Sequence, residues 1–174
     1  MTTREFENFL IQISARLFGF VKRYLPLEES EDALQEISVK IWEKRGRLSK
    51  MEKPEAYCFR MARNYCLKKL MRQEPFLPID SIIENNLQGF DSGIIQLEYS
   101  ETEALLFRCI DRLPIRQKEV MYMKCVDGME YPEIATVTGL KPEHVRVLLS
   151  RARKEMKATL EKYYKHEARK RTVV

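Results

Sequence analysis

Four cations late in the chain, Arg146, Arg151, Arg153 and Lys154, fall on one segment with the grammar of two short helices and a tight turn. Guanidinium and ammonium groups along a helix suit phosphate oxygens, because each contact releases a counterion condensed on a nucleic acid. A second set lies upstream in PEAYCFRMARNYCLKKLMRQ, where Tyr57, Arg60, Asn64, Lys68 and Met71 share a helix face. Arg63 and Arg72 stand beside that face, and no acid occurs from Arg60 to Gln73. Rings on which bases stack, interleaved with cations that meet phosphates, suit single-stranded nucleic acid. From residue types alone, either set also fits a solvated basic face, and Tyr57 and Tyr65 also fit a core.

Bond-making chemistry has no comparable constellation. The histidines, His144 and His166, lie 22 positions apart on different helix faces, and no other metal spacing occurs. There is no glycine-rich phosphate loop and no nucleophile–base pairing, so no enzyme and no cofactor is expected. Cys58, Cys66, Cys109 and Cys125 form no CxxC pair and sit among apolar neighbours. They read as reduced core thiols of a cytoplasmic protein. The N-terminus MTTREFENFL lacks the layout of a secretory signal, and no apolar run approaches the ~18 residues of a membrane span.

The elements that must carry the cations can be read from periodicity. In YPEIATVTGLKPEHVRVLLSRARKEM, a first helix from Pro132 to about Thr138 holds Ile134 and Ala135, the small residue a steep helix crossing requires. Gly139 takes the turn, where φ is positive. Leu140 plugs the corner, and Pro142 opens a second helix carrying Val145 and Leu148 inward. Thr138 stands where such a pattern prefers an apolar residue.

Upstream, a stripe of Phe6, Phe9, Leu10, Ile13, Leu17, Phe20, Val21 and Tyr24 predicts a helix from Arg4 to Leu25, which Pro26 stops. Ser30 reads as the N-cap of the next helix, which buries Leu34, Ile37 and Ile41 and exposes a mixed-charge side. Residues 74–100 contain two prolines and two glycines, no basic residue and no sustained period, and read as an irregular acidic linker. Its apolar pieces, among them Phe76, Leu77, Ile79, Phe90 and Ile94, point to a linker that docks on something. Fully extended it reaches at most ~90 Å, about 26 base pairs. A further helix places Leu105, Leu106, Cys109 and Ile110 inward, and the next places Val120, Met121 and Met123. The chain should end in the polar tail HEARKRTVV.

Charge follows the same division. The chain holds 31 Lys and Arg against 26 Asp and Glu, with pI ≈ 9.0, but the excess is concentrated. Residues 61–73 carry four cations and no acid, and residues 141–174 eleven cations against four acids. Two separated basic patches suggest a bipartite contact with nucleic acid.

Three segments resemble one family in order and spacing. EDALQEISVKIW is similar to region 2.2 of the sigma-70 family of RNA polymerase sigma factors, extracytoplasmic-function (ECF, group IV) type. EAYCFRMARNYCLKKLMR resembles regions 2.3–2.4, and LPIRQKEVMYMKCVDGMEYPEIATVTGLKPEHVRVLLSRARKEM resembles region 4. The resemblance spans nearly the whole chain. It implies an all-α fold of two small helical domains joined by the acidic linker. A region 2-like bundle would occupy residues 1–73, the linker 74–100, a region 4-like helix-turn-helix domain 101–167, and a basic tail 168–174.

The resemblance also implies roles. Asp32, Gln35, Glu36, Val39 and Trp42 would dock on the β′ clamp coiled coil of core RNA polymerase, and the start of the second domain on the β flap. Tyr57, Arg60, Arg63, Asn64, Lys68 and Arg72, with the Arg47–Lys53 loop, would open the −10 element and hold an unstacked base. Lys141, Glu143, His144, Arg146 and Val147 would face the −35 major groove, with Ser150, Arg151, Arg153 and Lys154 following. Promoter DNA and an anti-sigma factor are the other implied partners. The chain departs from the family at Tyr57, where Trp is frequent, at Lys68, where Asp is frequent, and at Val147-Leu148 in place of Ser-Arg. Val147 would meet a thymine methyl and Leu148 the core. A stand-alone helix-turn-helix regulator, binding an operator as a dimer, is the alternative reading.

Overall fold

The structure is a computed structural model that describes residues 1–88 and 100–172. Every regular element among these residues is helical. Helix α1 (Thr3–Lys22) begins in a capping box, in which the Thr2 backbone N–H donates to the Glu5 carboxylate at 2.6 Å. It packs across α2 (Leu27–Glu43) and α4 (Pro54–Gln73), with the single turn α3 (Arg45–Leu48) between those two. Together these helices enclose Phe20, Phe59, Leu17, Ile37 and Ile41, with the Phe20 and Phe59 rings edge to face at 5.2 Å.

Helix α2 starts a turn before the expected Ser30 cap. Pro26, extended at φ −56° and ψ 154°, opens it, with Glu28 and Glu29 in the first turn where the helix dipole favours acids. Ser30 is buried inside the helix, and its hydroxyl donates back to the Pro26 carbonyl at 2.8 Å.

The acidic linker is not irregular throughout. Its first half folds as α5 (Ile79–Asn86), opened by Pro78. The expectation that it docks is met by different residues: Ile82, Ile83 and Leu87 are buried, whereas Phe76 is 97% exposed. Adjacent isoleucines on a two-turn helix seat one edge between α4 and α7, a signal too short to read as a period. Phe90 and Ile94 lie outside the described residues.

The second module comprises α6 (Glu101–Asp111), α7 (Ile115–Cys125), α8 (Tyr131–Thr138) and α9 (Pro142–Thr172). Ser100 and Glu103 form a reciprocal capping box at the start of α6. There Ala104, Cys109 and Ile110 turn inward, while Leu105 is half-buried and Leu106 is exposed. Cys125, expected in the core, is exposed at the end of α7; Cys58, Cys66 and Cys109 are buried. Burial pushes the Cys58 and Cys66 thiols up to about 12. The polar tail is not a separate element. Past Pro142 no glycine or proline interrupts a run rich in Lys, Glu, Ala and Arg, and α9 continues to Thr172.

The modules do not stand apart. Helix α8 packs on α4, α5 bridges α4 and α7, and one apolar core runs from Phe6 to Ala152.

Candidate nucleic-acid interface

Helix α8 ends at Gly139, whose φ of +74° is the left-handed conformation an L-residue adopts only with strain. Its N–H closes the last turn on the Ala135 carbonyl at 2.9 Å. Thr138, the residue at odds with an apolar pattern, donates its hydroxyl to the Ile134 carbonyl at 2.7 Å and accepts from the Leu140 N–H at 3.3 Å. Its polarity is thus spent inside the turn. Val145, Leu148, Leu149 and Ala152 form the buried stripe of α9, meeting Ile134, Ala135 and Val137 of α8.

That stripe places the expected −35 set together on the opposite side. Lys141, Glu143, His144, Arg146, Val147, Ser150, Arg151, Arg153 and Lys154 are all exposed. Val147 and Leu148 separate cleanly at 43% and 7% exposure. Arg153 is the one tethered cation of the set: its guanidinium donates to the Tyr131 hydroxyl at 3.0 Å. The others keep their donors toward solvent, as phosphate contacts require.

Helix α4 divides its expected residues. Asn64, Lys68 and Arg72 line a cleft of about 530 Å³ between α2 and α4, together with Glu36, Lys40, Met61, Tyr65 and Lys69. Four cations around an amide and a ring favour an anionic chain with an exposed base. Lys69 is paired with Glu29 at 2.9 Å. Tyr65 is half-buried under Lys40, at 5.8 Å, and burial together with the Glu36 carboxylate pushes its phenol up to about 12. Arg60 is exposed, and Tyr57 is half-buried with the Arg47 guanidinium 5.4 Å above its ring. Arg47, expected in a loop running to Lys53, lies in the single turn α3, and α3 and α4 therefore meet at an aromatic–cation contact.

Arg63 does not share that open face. It is 4% exposed, and its Nε and Nη2 donate to the two carboxylate oxygens of Glu119 on α7 at 2.7 and 3.1 Å. The Tyr24 hydroxyl donates to the same carboxylate at 2.7 Å. Burial alone would lower the Arg63 pKa, but the adjoining Glu119 charge holds it raised. Arg63 falls in the helix-spaced stripe Phe59-Ala62-Arg63-Cys66-Leu67-Leu70, and a cation takes such a place only with a partner. That partner is 56 residues away in sequence.

On α2, Asp32, Gln35 and Val39 are exposed. Glu36 belongs to that side and also to the cleft. Trp42 is half-buried, edge-on to Phe6 at 4.9 Å and capped by the Arg45 guanidinium at 3.9 Å. Sequence reasoning passed over Lys40, Met61 and Lys69 as cleft residues. Lys40 lies one turn beyond Glu36, and that spacing could have found it. Nothing local marks Tyr24 or Glu119.

An all-α protein with an exposed helix-turn-helix and a second basic cleft belongs to the DNA-reading class, and the family models resolve which kind. Residues 10–75 match sigma-70 region 2, and residues 103–156 match sigma-70 region 4. The chain is 24% identical to the ECF RNA polymerase sigma-E factor of Escherichia coli K12 over 159 residues, 86% of this chain and 83% of that protein. The sigma-E factor of Salmonella typhimurium LT2 matches at the same identity and coverage. Among solved structures, the fold is similar to the sigma factor RpoE in complex with the anti-sigma factor NepR, from Bartonella quintana. That match has a TM-score of 0.66 at 16% identity and covers 91% of this chain and 98% of that one. CnrH, in complex with the cytosolic domain of CnrY, matches with a TM-score of 0.59 at 19% identity, covering 92% and 90%. This chain belongs to the sigma-70 family, as a sigma factor of the ECF type.

Proposed function

We propose that this sigma factor reads the −35 element with the α9 face from Lys141 to Lys154 and the −10 element with α4. The carrying observation is that Asn64, Lys68 and Arg72 converge on one cleft, on the chain whose helix-turn-helix leaves its whole recognition face exposed. The α9 cations anchor the duplex through phosphates, and Arg146 and Val147 meet base edges. In the cleft, an extruded −10 base would stack on Tyr65 and bond Asn64, recovering part of the few kcal/mol that unstacking costs. Asp32, Gln35, Glu36 and Val39, with Trp42 as a half-buried support, form the docking side toward the β′ clamp of core polymerase, and α6 and α7 the side toward the β flap.

The chain supplies no catalysis; polymerase does, and the site of action is the cytoplasm. The RpoE neighbour bound to an anti-sigma factor supports a similar partner here. Operator binding by a dimer is not favoured, because region 2 and region 4 match in order on one chain. The test is run-off transcription with purified core polymerase and genomic DNA. Transcripts should start at discrete sites only when this chain is added; active core that stays silent in its presence overturns the reading.

A further inference from the structure

The far half of α9 runs past the DNA-reading unit. The match to sigma-70 region 4 ends at residue 156, whereas the helix continues to Thr172. Tyr163 follows Val145 by about five whole turns, so it lies in line with the buried stripe and away from the face that runs from Arg146 to Lys154. There α9 lies along α6, and the two helices flank a groove of about 450 Å³, a volume within the range of small-molecule sites.

Four basic side chains line this groove: Arg108 of α6, Arg112 at its C-cap, and Lys162 and His166 of α9. Among the described residues no carboxylate lines it. The nearby acids are engaged elsewhere. Glu103 closes the α6 capping box, Asp111 accepts from the Tyr122 hydroxyl and pairs with Lys118 at 3.3 Å, and Glu167 pairs with Lys170 at 3.5 Å. All four basic residues are exposed. Arg108 spends only its Nε, on the Ala104 carbonyl at 3.3 Å, which leaves both Nη groups for a ligand. Tyr163, 44% exposed, supplies an aromatic wall. With Leu105 it forms the ridge between this groove and a second cleft, lined by Glu101 and Glu167. The two sides of the ridge therefore differ in charge, and only one suits an anion.

We infer that the groove between α6 and the far half of α9 binds a nucleoside polyphosphate, its phosphates on Arg108, Arg112 and Lys162 and its base against Tyr163. Guanidinium groups fork onto phosphate oxygens, and an ammonium adds a compact charge beside them. Such a cluster of cations without a lining acid calls for several negative charges on one ligand, which a polyphosphate chain carries. The exposed ring adds stacking that only the base can use. The groove and the −35 face share no side chain, so this ligand and promoter DNA do not compete for the same cations. Because the ligand bridges two helices, it stabilises the second module in step with its concentration.

The test is calorimetric titration of the full chain with ATP, GTP, inorganic tripolyphosphate and adenosine at low salt, with amide NMR shifts to locate each ligand. ATP or GTP should bind with a Kd of about 0.1 mM or tighter and shift amides within 105–112 and 159–166. Arg112→Ala and Lys162→Glu should each weaken that binding at least tenfold with helix content kept. Tyr163→Ala should weaken the nucleotide roughly fivefold or more and leave tripolyphosphate unchanged. If that variant loses helix content, Tyr163→Leu takes its place, with the same result expected. No saturable nucleotide binding in the millimolar range, or shifts confined to residues 141–154, overturns the site. Tripolyphosphate or adenosine binding as tightly as both nucleotides overturns the nucleotide assignment. Single-stranded RNA that shifts the same amides at lower concentration than any mononucleotide assigns the groove to a nucleic-acid chain instead, and overturns the small-molecule reading.

Discussion

Helices α4 and α9 both carry cations suited to nucleic acid, yet they dispose of them differently. The described side chains of α9 in the helix-turn-helix bury one stripe, Val145-Leu148-Leu149-Ala152, and every expected DNA residue falls outside it. Helix α4 is covered by α1 and α2 from its own module and by α8 from the other, and one of its cations is enclosed. The first surface lies outside the contact between the modules. The second shares its helix with Arg63, which is buried inside that contact. Reading a basic helix as a binding surface therefore requires knowing how many partners cover it, and composition does not carry that number.

The contrast is broken most forcefully at Arg63. Removing one partner of a buried pair costs ~3–5 kcal/mol if the other charge stays enclosed. Arg63→Ala should therefore lower the urea midpoint strongly, or split the transition in two as the modules separate before they unfold. Arg151→Ala, on an exposed face, should leave stability within about 0.5 kcal/mol of wild type. A single transition at the wild-type midpoint for Arg63→Ala would show that its pair contributes nothing to joining the modules.

This difference also marks what was legible in the sequence. The helix-turn-helix could be read because its determinants are local: Ala135, Gly139 and Pro142 each meet a backbone demand within one turn, and Leu148 follows from a 3.6-residue period. The Asn64-Lys68-Arg72 side of the cleft could be read for the same reason. The sequence sets Arg63 beside the open face, and only the resemblance counts it among the −10 residues; its enclosure depends on Glu119 arriving from another module. Helix α5 and the α2 start failed on shorter signals. Ile82 and Ile83 span less than one turn, and Ser30 resembles a cap by residue type although Pro26 already holds that place.

Within α4, Asn64 sharpens the division between binding and opening. It is exposed at the cleft, so Asn64→Ala should leave the fold intact. If it holds an unstacked base, its loss should act on promoter opening, by roughly 1–3 kcal/mol, equivalent to about 5- to 150-fold. Permanganate footprinting of the −10 region against filter binding of the closed complex separates the two steps. Equal losses at both steps count against the assignment.

On α9 a phosphate contact has a different signature. Arg151→Ala should weaken binding across unrelated promoters and reduce the slope of log K against log salt by about one. The test is titration of the polymerase complex at several salt concentrations. A slope equal to wild type removes Arg151 from the phosphate contacts and leaves its exposure unexplained by DNA.

The smallest expected effect lies at Val147, and it distinguishes base reading from packing. Its side chain is partly open to solvent beside a buried Leu148, so truncation should leave stability near wild type. If the isopropyl group rests on a thymine methyl, Val147→Ala forfeits apolar burial of at most ~0.8 kcal/mol per methylene equivalent, a few-fold in affinity. That loss must be confined to promoters with thymine at one −35 position, and replacing that thymine by uracil must abolish the difference between wild type and variant. A uniform loss over all −35 sequences would assign Val147 to orientation of the helix instead, leaving Arg146 as the base-reading residue to test.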